Sequence, residues 1–133
     1  MIEREILNKY RSIAVVGASA NPERPSYQIA SYLMEQGYKV YPVNPNAKEI
    51  LGSPSYPSLS SIPDAVEVVD IFRRSEDVVP IVDEAIKIGA KAVWMQEGVI
   101  NEAAAAKARD AGLLVVMDEC IREEHEHLSE NDA

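Results

Sequence analysis

Five short apolar runs recur along the chain, each separated from the next by a segment whose apolar residues fall on one helical face. Residues 12–18 read as a buried strand that stops at Gly17 and Ala18. Lys39–Val43 reads as the second strand, 66–72 as the third, 92–96 as the fourth and 113–117 as the fifth. Residues 26–36 place Ile29, Ala30, Leu33 and Met34 on one face of a helix, with Gly37 as its stop signal. Residues 78–88 form another, closed by Gly89. Ser75 suits its N-cap, and Pro80 fits the first turn, where a missing N–H costs little. Asn101 caps an alanine-rich helix that ends at Gly112. Residues 2–10 and 121–128 predict terminal helices, and 129–133 a frayed tail. Residues 47–63, rich in proline and serine, predict a loop-rich connection with a short helix.

Strands that are apolar on both faces and separated by helices imply a parallel sheet covered on both sides. Right-handed crossovers then give an α/β fold of three layers: a Rossmann-like, doubly wound, parallel five-stranded sheet. The length of 133 residues suits a single domain, 1–133. Ligands of such sheets bind outside the carboxyl ends of the strands. Here those ends are Gly17-Ala18-Ser19, Val43-Asn44-Pro45, Phe72-Arg73, Gln96-Glu97-Gly98 and Asp118-Glu119-Cys120.

Charge narrows the ligand. Acidic residues number 22 against 13 basic ones, a net charge of −9. That disfavours nucleic acid and anionic membranes, which need a basic footprint. An anionic small molecule fits only a locally positive site; much of the acid lies apart, in residues 119–132. The N-terminus lacks the apolar core of a signal peptide. No apolar run approaches the ~20 residues of a membrane span. The single cysteine, Cys120, excludes an intrachain disulfide. Together these predict a cytoplasmic location.

The first strand-to-helix turn carries the chemistry of a phosphate site. Gly17 permits a tight turn, and Ala18 and Ser19 keep the backbone approachable. The following helix points unpaired N–H groups and its positive dipole end into the crevice. Arg24 can add a bidentate, charge-assisted contact. Ser19 and Ser26 add hydroxyl donors. The dinucleotide pattern G-x-G-x-x-G is not present, since Ala18-Ser19-Ala20-Asn21-Pro22 follows Gly17. An NAD site also expects an acid at the end of the second strand. That end reads Pro42-Val43-Asn44-Pro45-Asn46, with Lys48 following, and suits a ribose that bears a phosphate. NADP and coenzyme A (CoA) both carry one.

These residues resemble a known family: the small stand-alone CoA-binding proteins, related to the CoA-binding domain of the succinyl-CoA synthetase alpha subunit. The resemblance runs from about Ile6 to about Cys120. It is carried by Gly17-Ala18-Ser19 with Pro22, Arg24 and Tyr27, by Gly37-Tyr38 and by Pro42-Val43-Asn44-Pro45. It continues through Gly52, Asp70-Ile71-Phe72-Arg73, Trp94-Met95-Gln96-Glu97-Gly98 and Met117-Asp118-Glu119-Cys120. It implies that Gly17, Ala18, Ser19, Arg24 and Ser26 hold the pyrophosphate. Val43, Asn44, Pro45 and Lys48 would lie along the adenosine and its phosphate. Phe72 and Arg73 would border the adenine side, and Gln96, Gly98 and Val99 the pantetheine arm. The larger synthetases do their chemistry with a histidine in a separate domain. The resemblance therefore implies a nucleotide-binding module for CoA or acyl-CoA without a catalytic residue: a carrier, a sensor, or a subunit for a protein partner or homodimer. Two alternatives stand beside it. One is an NADP-dependent oxidoreductase, disfavoured by the missing glycines and substrate domain. The other is an acyl-CoA or thioester enzyme using Cys120 or Asp118.

Other residues with chemical potential have a plainer reading. Cys120 could form a mixed disulfide with the thiol of CoA, activated by the helix that follows it, or simply fill space. His125 and His127 flank Glu126, but i and i+2 do not share a helix face, so a solvated acidic helix is expected there and no metal site. Asp70 and Asp118 end central strands and could be general bases or metal ligands, but no histidine lies nearby; Asp118 is expected to cap the following segment or bond to backbone. Phe72 and Trp94 could stack on a ligand or fill the core. Arg73 and Arg74 could meet phosphate or be a solvated pair.

Overall fold

The computed structural model describes the backbone of residues 1–131 and the side chains of residues 1–128. Helices and strands alternate: α1 (Ile2–Lys9), β1 (Ser12–Val16), α2 (Pro25–Glu35), β2 (Lys39–Val43), a hairpin of β3 (Glu49–Ile50) and β4 (Ser53–Pro54), β5 (Val68–Ile71), α3 (Val78–Lys87), β6 (Ala92–Met95), α4 (Glu102–Asp110), β7 (Leu114–Val116) and α5 (Ile121–Asn131). The main sheet is parallel, in the order β2-β1-β5-β6-β7. Its strand order reverses between β1 and β5, which fixes the crevice above their carboxyl ends.

Both faces of the sheet are covered, and this explains the continuous apolar runs. Ile13 and Val15 of β1 pack with Leu7, Ile29, Leu33 and Ile121 from α1, α2 and α5. Ala14 and Val16 point the other way and pack with Val78, Val82, Ala105 and Ala108 from α3 and α4. The alanines of α4 that meet the sheet, Ala104, Ala105 and Ala108, are fully buried and let the helix lie close. Trp94 is fully buried in β6, and its indole Nε1 donates to the Glu119 carbonyl at 2.8 Å. It fills the core and does not face a ligand.

Several local expectations change. Ser75 is not the cap of α3. It opens a 3-10 turn, Ser75–Asp77, and Asp77 stands at the N-cap position. The Ser75 hydroxyl instead accepts from the Ile100 N–H at 2.9 Å. Asn101 does cap α4, its Oδ1 accepting from the Ala104 N–H. The connection after β2 holds the β3–β4 hairpin, and the expected short helix is a single 3-10 turn, Leu59–Ser61. The hairpin turns at Leu51 and Gly52, both at positive φ. Leucine in that conformation gives no turn signal, since Asn-Gly or Asp-Gly normally marks it. Helix α5 runs to Asn131, beyond the expected end at 128; the remainder of the expected frayed tail, 132–133, lies outside the described residues.

The C-terminal helix also differs in environment. His125 is half-buried, with Nδ1 2.6 Å from the Tyr32 hydroxyl and its ring edge-on to Tyr32 and Tyr38. Burial holds its pKa below the ordinary imidazole value. His125 therefore docks α5 onto α2, where a solvated position was expected. Among the described residues, no helix is long and apolar enough to cross a membrane.

Candidate functional site

The carboxyl ends of the strands open into two adjoining chambers of about 700 Å³ and about 650 Å³. Pro25, Phe72 and Arg73 wall both, so the chambers form one trough across the top of the sheet.

The first chamber is built around the turn after β1. Gly17 has φ +89° and its N–H donates to the Val43 carbonyl, tying the turn to β2. On the other side the Phe72 N–H donates to the Val16 carbonyl at 2.8 Å. A Cβ added to Gly17 would lie 2.3 Å from the Phe72 carbonyl oxygen, closer than any real contact. Glycine is thus required by the approach of β5 as well as by the turn. The next residues brace themselves. The Ser19 hydroxyl accepts from the Asn21 N–H, the Asn21 side chain accepts from the Glu23 N–H, and the Arg24 N–H donates to the Asn21 carbonyl. Asn44 donates from Nδ2 to the Ala18 carbonyl at 2.8 Å and accepts at Oδ1 from the Asn46 N–H. Asn44 thereby clamps the β2 tip to the β1 turn.

Three kinds of donor remain free to face the chamber. Among the described residues, the amides of Ala18 and Ser19 have no protein acceptor. Helix α2 supplies fewer donors than a typical N-terminus: Pro25 at its first position has no N–H, and the Tyr27 and Gln28 N–H groups both turn to the Arg24 carbonyl. The outward donor is the Ser26 N–H, on a residue that is itself buried. Arg24 is exposed, and among the described residues its guanidinium has no ion-pair partner. Arg73, by contrast, has Nη2 3.7 Å from an Asp77 oxygen, and Arg74 pairs with Asp77 and Glu76.

The second chamber takes its walls from the ends of β5, β6 and β7. Gln96, Val99 and Cys120 line it, with Ile29 from α2 and Glu97 and Glu123 at its exposed margin. Two polar groups at these strand ends are bonded within the fold. Gln96 is buried and its Oε1 accepts from the Ile121 N–H at 3.1 Å, capping α5. That bond also occupies the helix amide nearest Cys120. Asp118 sits at φ +62° and its Oδ1 accepts from the Gly98 N–H at 2.7 Å, the backbone contact expected of it.

Gly17, Ala18, Ser19, Arg24, Ser26, Val43, Asn44 and Pro45 line the first chamber; Phe72 and Arg73 line both; Gln96 and Val99 line the second. Lys48 and Gly98 are in neither wall. Lys48 is exposed beyond the clamp, its carbonyl held by the Ser55 N–H, and the Gly98 N–H is taken by Asp118. The sequence reading missed Pro57, Ser58, Ile81 and Glu84 of the first chamber. Glu84 lies in mid-helix, where spacing carries no warning. Its carboxylate accepts from the Leu59 and Ser60 N–H groups and the Ser60 hydroxyl, so the acid is spent on the 3-10 turn.

Two acids below and beside the trough are perturbed. Asp70 of β5 is fully buried between Val15 and Trp94, and among the described residues neither of its oxygens has a hydrogen-bond partner. Burial pushes its pKa well above the ordinary 3.8, which favours the neutral carboxyl. Glu119 is pushed up to about 7, chiefly by burial and then by the neighbouring Glu3 and Glu124.

Comparison with known proteins adds an independent line. The model of a family described as the CoA binding domain matches residues 11–126. The Bacillus subtilis protein YneT, itself described as uncharacterized, is 37% identical over 122 residues, covering 92% of this chain and 90% of that protein. An ADP-forming acetate–CoA ligase of Archaeoglobus fulgidus is 38% identical over 95 residues; these cover 69% of this chain but 14% of the ligase. A structure of a hypothetical protein from Pyrococcus horikoshii superposes with a TM-score of 0.92 at 49% identity, covering 95% of this chain and 89% of that one.

Proposed function

We propose, since this chain belongs to the CoA-binding domain family, that it binds CoA along the trough with the diphosphate at the β1 turn. The observation that carries the reading is the set of free donors there: the Ala18 and Ser19 amides, the Ser26 N–H and the unpaired Arg24 guanidinium. Amides at a strand-to-helix turn suit phosphate oxygens, and an arginine without a carboxylate partner leaves its charge for the ligand. The β2 tip, Val43-Asn44-Pro45, offers no acid to a ribose diol and none to repel a ribose phosphate. Adenosine and its phosphate lie toward that tip. Lys48 and Gly98 drop out of the proposed contact set. Gln96 serves as wall and helix cap.

No residue of the trough is assigned catalysis. Cys120 lines the wall, but the following helix amide is bonded to Gln96; Asp118 is bonded to Gly98. The module acts as a carrier or sensor of its ligand, or as a subunit for a partner. Calorimetric titration of the chain with CoA, NADP and NAD tests the proposal. CoA is expected to bind at least tenfold more tightly than either dinucleotide. Equal or tighter binding of NADP would overturn it.

A further inference from the structure

We infer that the ligand is an acyl-CoA thioester bearing a short, uncharged aliphatic group, seated in the second chamber. This rests on the reading of the trough as a CoA site and specifies what its far end holds.

The inference begins with the mismatch between the chambers and the molecule. The chambers are nearly equal, about 700 Å³ and about 650 Å³. The two halves of CoA are not. The adenosine, its phosphate and the diphosphate form the bulkier half; the pantetheine arm is a slim chain with roughly half as many non-hydrogen atoms. An arm that enters past Phe72 leaves part of the second chamber open to a further group carried on the thiol.

Strand order sets what lies at the far end. Moving across the sheet from β2 through β1 and β5 to β6 and β7, the trough passes from the β2 tip to the β1 turn and on to Phe72. It then reaches Val99 after β6 and Cys120 after β7. The thiol end of the arm therefore arrives among Ile29, Phe72, Val99 and the Cys120 side chain. Ile29 and Val99 are each only 8% exposed, and Oε1 of Gln96 and Oδ1 of Asp118 are already bonded to backbone amides. Such walls favour methylenes over a group that needs hydrogen bonds. The charges at the margin exclude one class of acyl group. Glu97 and Glu123 edge this chamber and not the first; Arg73 and Arg74 also line it, but their charge is shared with Asp77 and Glu76. A carboxylate at the acyl terminus would meet two acids there.

A ligand series on the unmodified chain tests this by calorimetry: free CoA, acetyl-, butyryl-, hexanoyl- and succinyl-CoA. The dissociation constant is expected to fall with acyl length, by up to about fourfold for each methylene buried, and hexanoyl-CoA to bind at least tenfold more tightly than CoA. Succinyl-CoA should bind more weakly than butyryl-CoA. In Glu97→Gln/Glu123→Gln that gap should narrow. Affinity independent of acyl length, or a preference for succinyl-CoA, would overturn the inference while leaving CoA as the ligand. If no member of the series binds, the CoA reading itself fails.

Discussion

The two halves of the trough are made of the same materials, strand ends and polar side chains, but deploy them differently. Around the β1 turn the polar side chains brace the loop and leave amides and one arginine for a ligand. Around the ends of β6 and β7 several polar groups are used inside the fold: Gln96 Oε1 holds α5, Asp118 holds Gly98, and the Trp94 indole holds the Glu119 carbonyl. One half leaves donors that suit an anion, whereas the other is walled in part by Ile29, Phe72 and Val99. The lesson is that a polar residue at a strand end signals a ligand only when its partners inside the fold have been counted.

Substitutions can break or sharpen that contrast. The largest effect is expected at Gly17. Gly17→Val forces a branched side chain into φ +89° and against the Phe72 carbonyl. The strained conformation and the overpacking together cost roughly 2–5 kcal/mol, to be read as lowered stability in denaturant unfolding. A normal midpoint would mean that β1 and β5 can part without loss.

Asp70 belongs to neither half and isolates the cost of an unpartnered acid. Its folded pKa lies well above the ordinary 3.8, so the native state keeps a proton that the unfolded chain releases. Stability from this group is full below that ordinary value and falls as pH rises, by up to about 1.4 kcal/mol per unit, until the folded pKa is passed. Asp70→Val should stabilise the protein by about 1–3 kcal/mol at neutral pH and flatten the profile. Unfolding curves collected from pH 4 to 9 decide this; an unchanged slope removes Asp70 as its source.

The sharpest contrast pairs Gln96→Ala with Arg24→Ala. The first leaves the Ile121 N–H without its acceptor and should lower stability by roughly 1–3 kcal/mol. The second should leave the melting temperature alone and weaken CoA binding by roughly 1.5–3 kcal/mol. Reversed outcomes would exchange the roles given to the two halves. The smallest effect is expected at Glu119. With its pKa raised to about 7, its stabilisation is present below the ordinary 4.5 and is lost as pH rises through 7. Glu119→Gln should reduce that acid-side advantage in thermal melts.

The five strands were legible because both sheet faces are buried, which makes each run apolar throughout. The β1 turn was legible because Gly17, the small residues after it and Arg24 stand together in the chain. What escaped depends on tertiary contact. The Phe72 carbonyl that presses on Gly17 is 55 residues away, and nothing in residues 17–19 announces it. Glu84 enters the chamber wall because α3 lies under a loop formed 25 residues earlier. Lys48 read as a neighbour of the ribose phosphate from its place after the β2 tip; in the fold it is exposed and lines neither chamber, with Asn46 the last residue of that segment in the wall. His125 read as solvated from its acidic neighbours, yet one face of α5 is pinned against Tyr32 and Tyr38.

The contact between the Gly17 turn and the β5 backbone has a kinetic consequence. The cradle cannot widen without parting the central pair of strands, so its shape is set before any ligand arrives. A ligand taken up there would require little rearrangement of the main chain, and little ordering entropy would be lost at that end. Selectivity among ligands that share the diphosphate would be expressed in how long each stays rather than in how fast it enters.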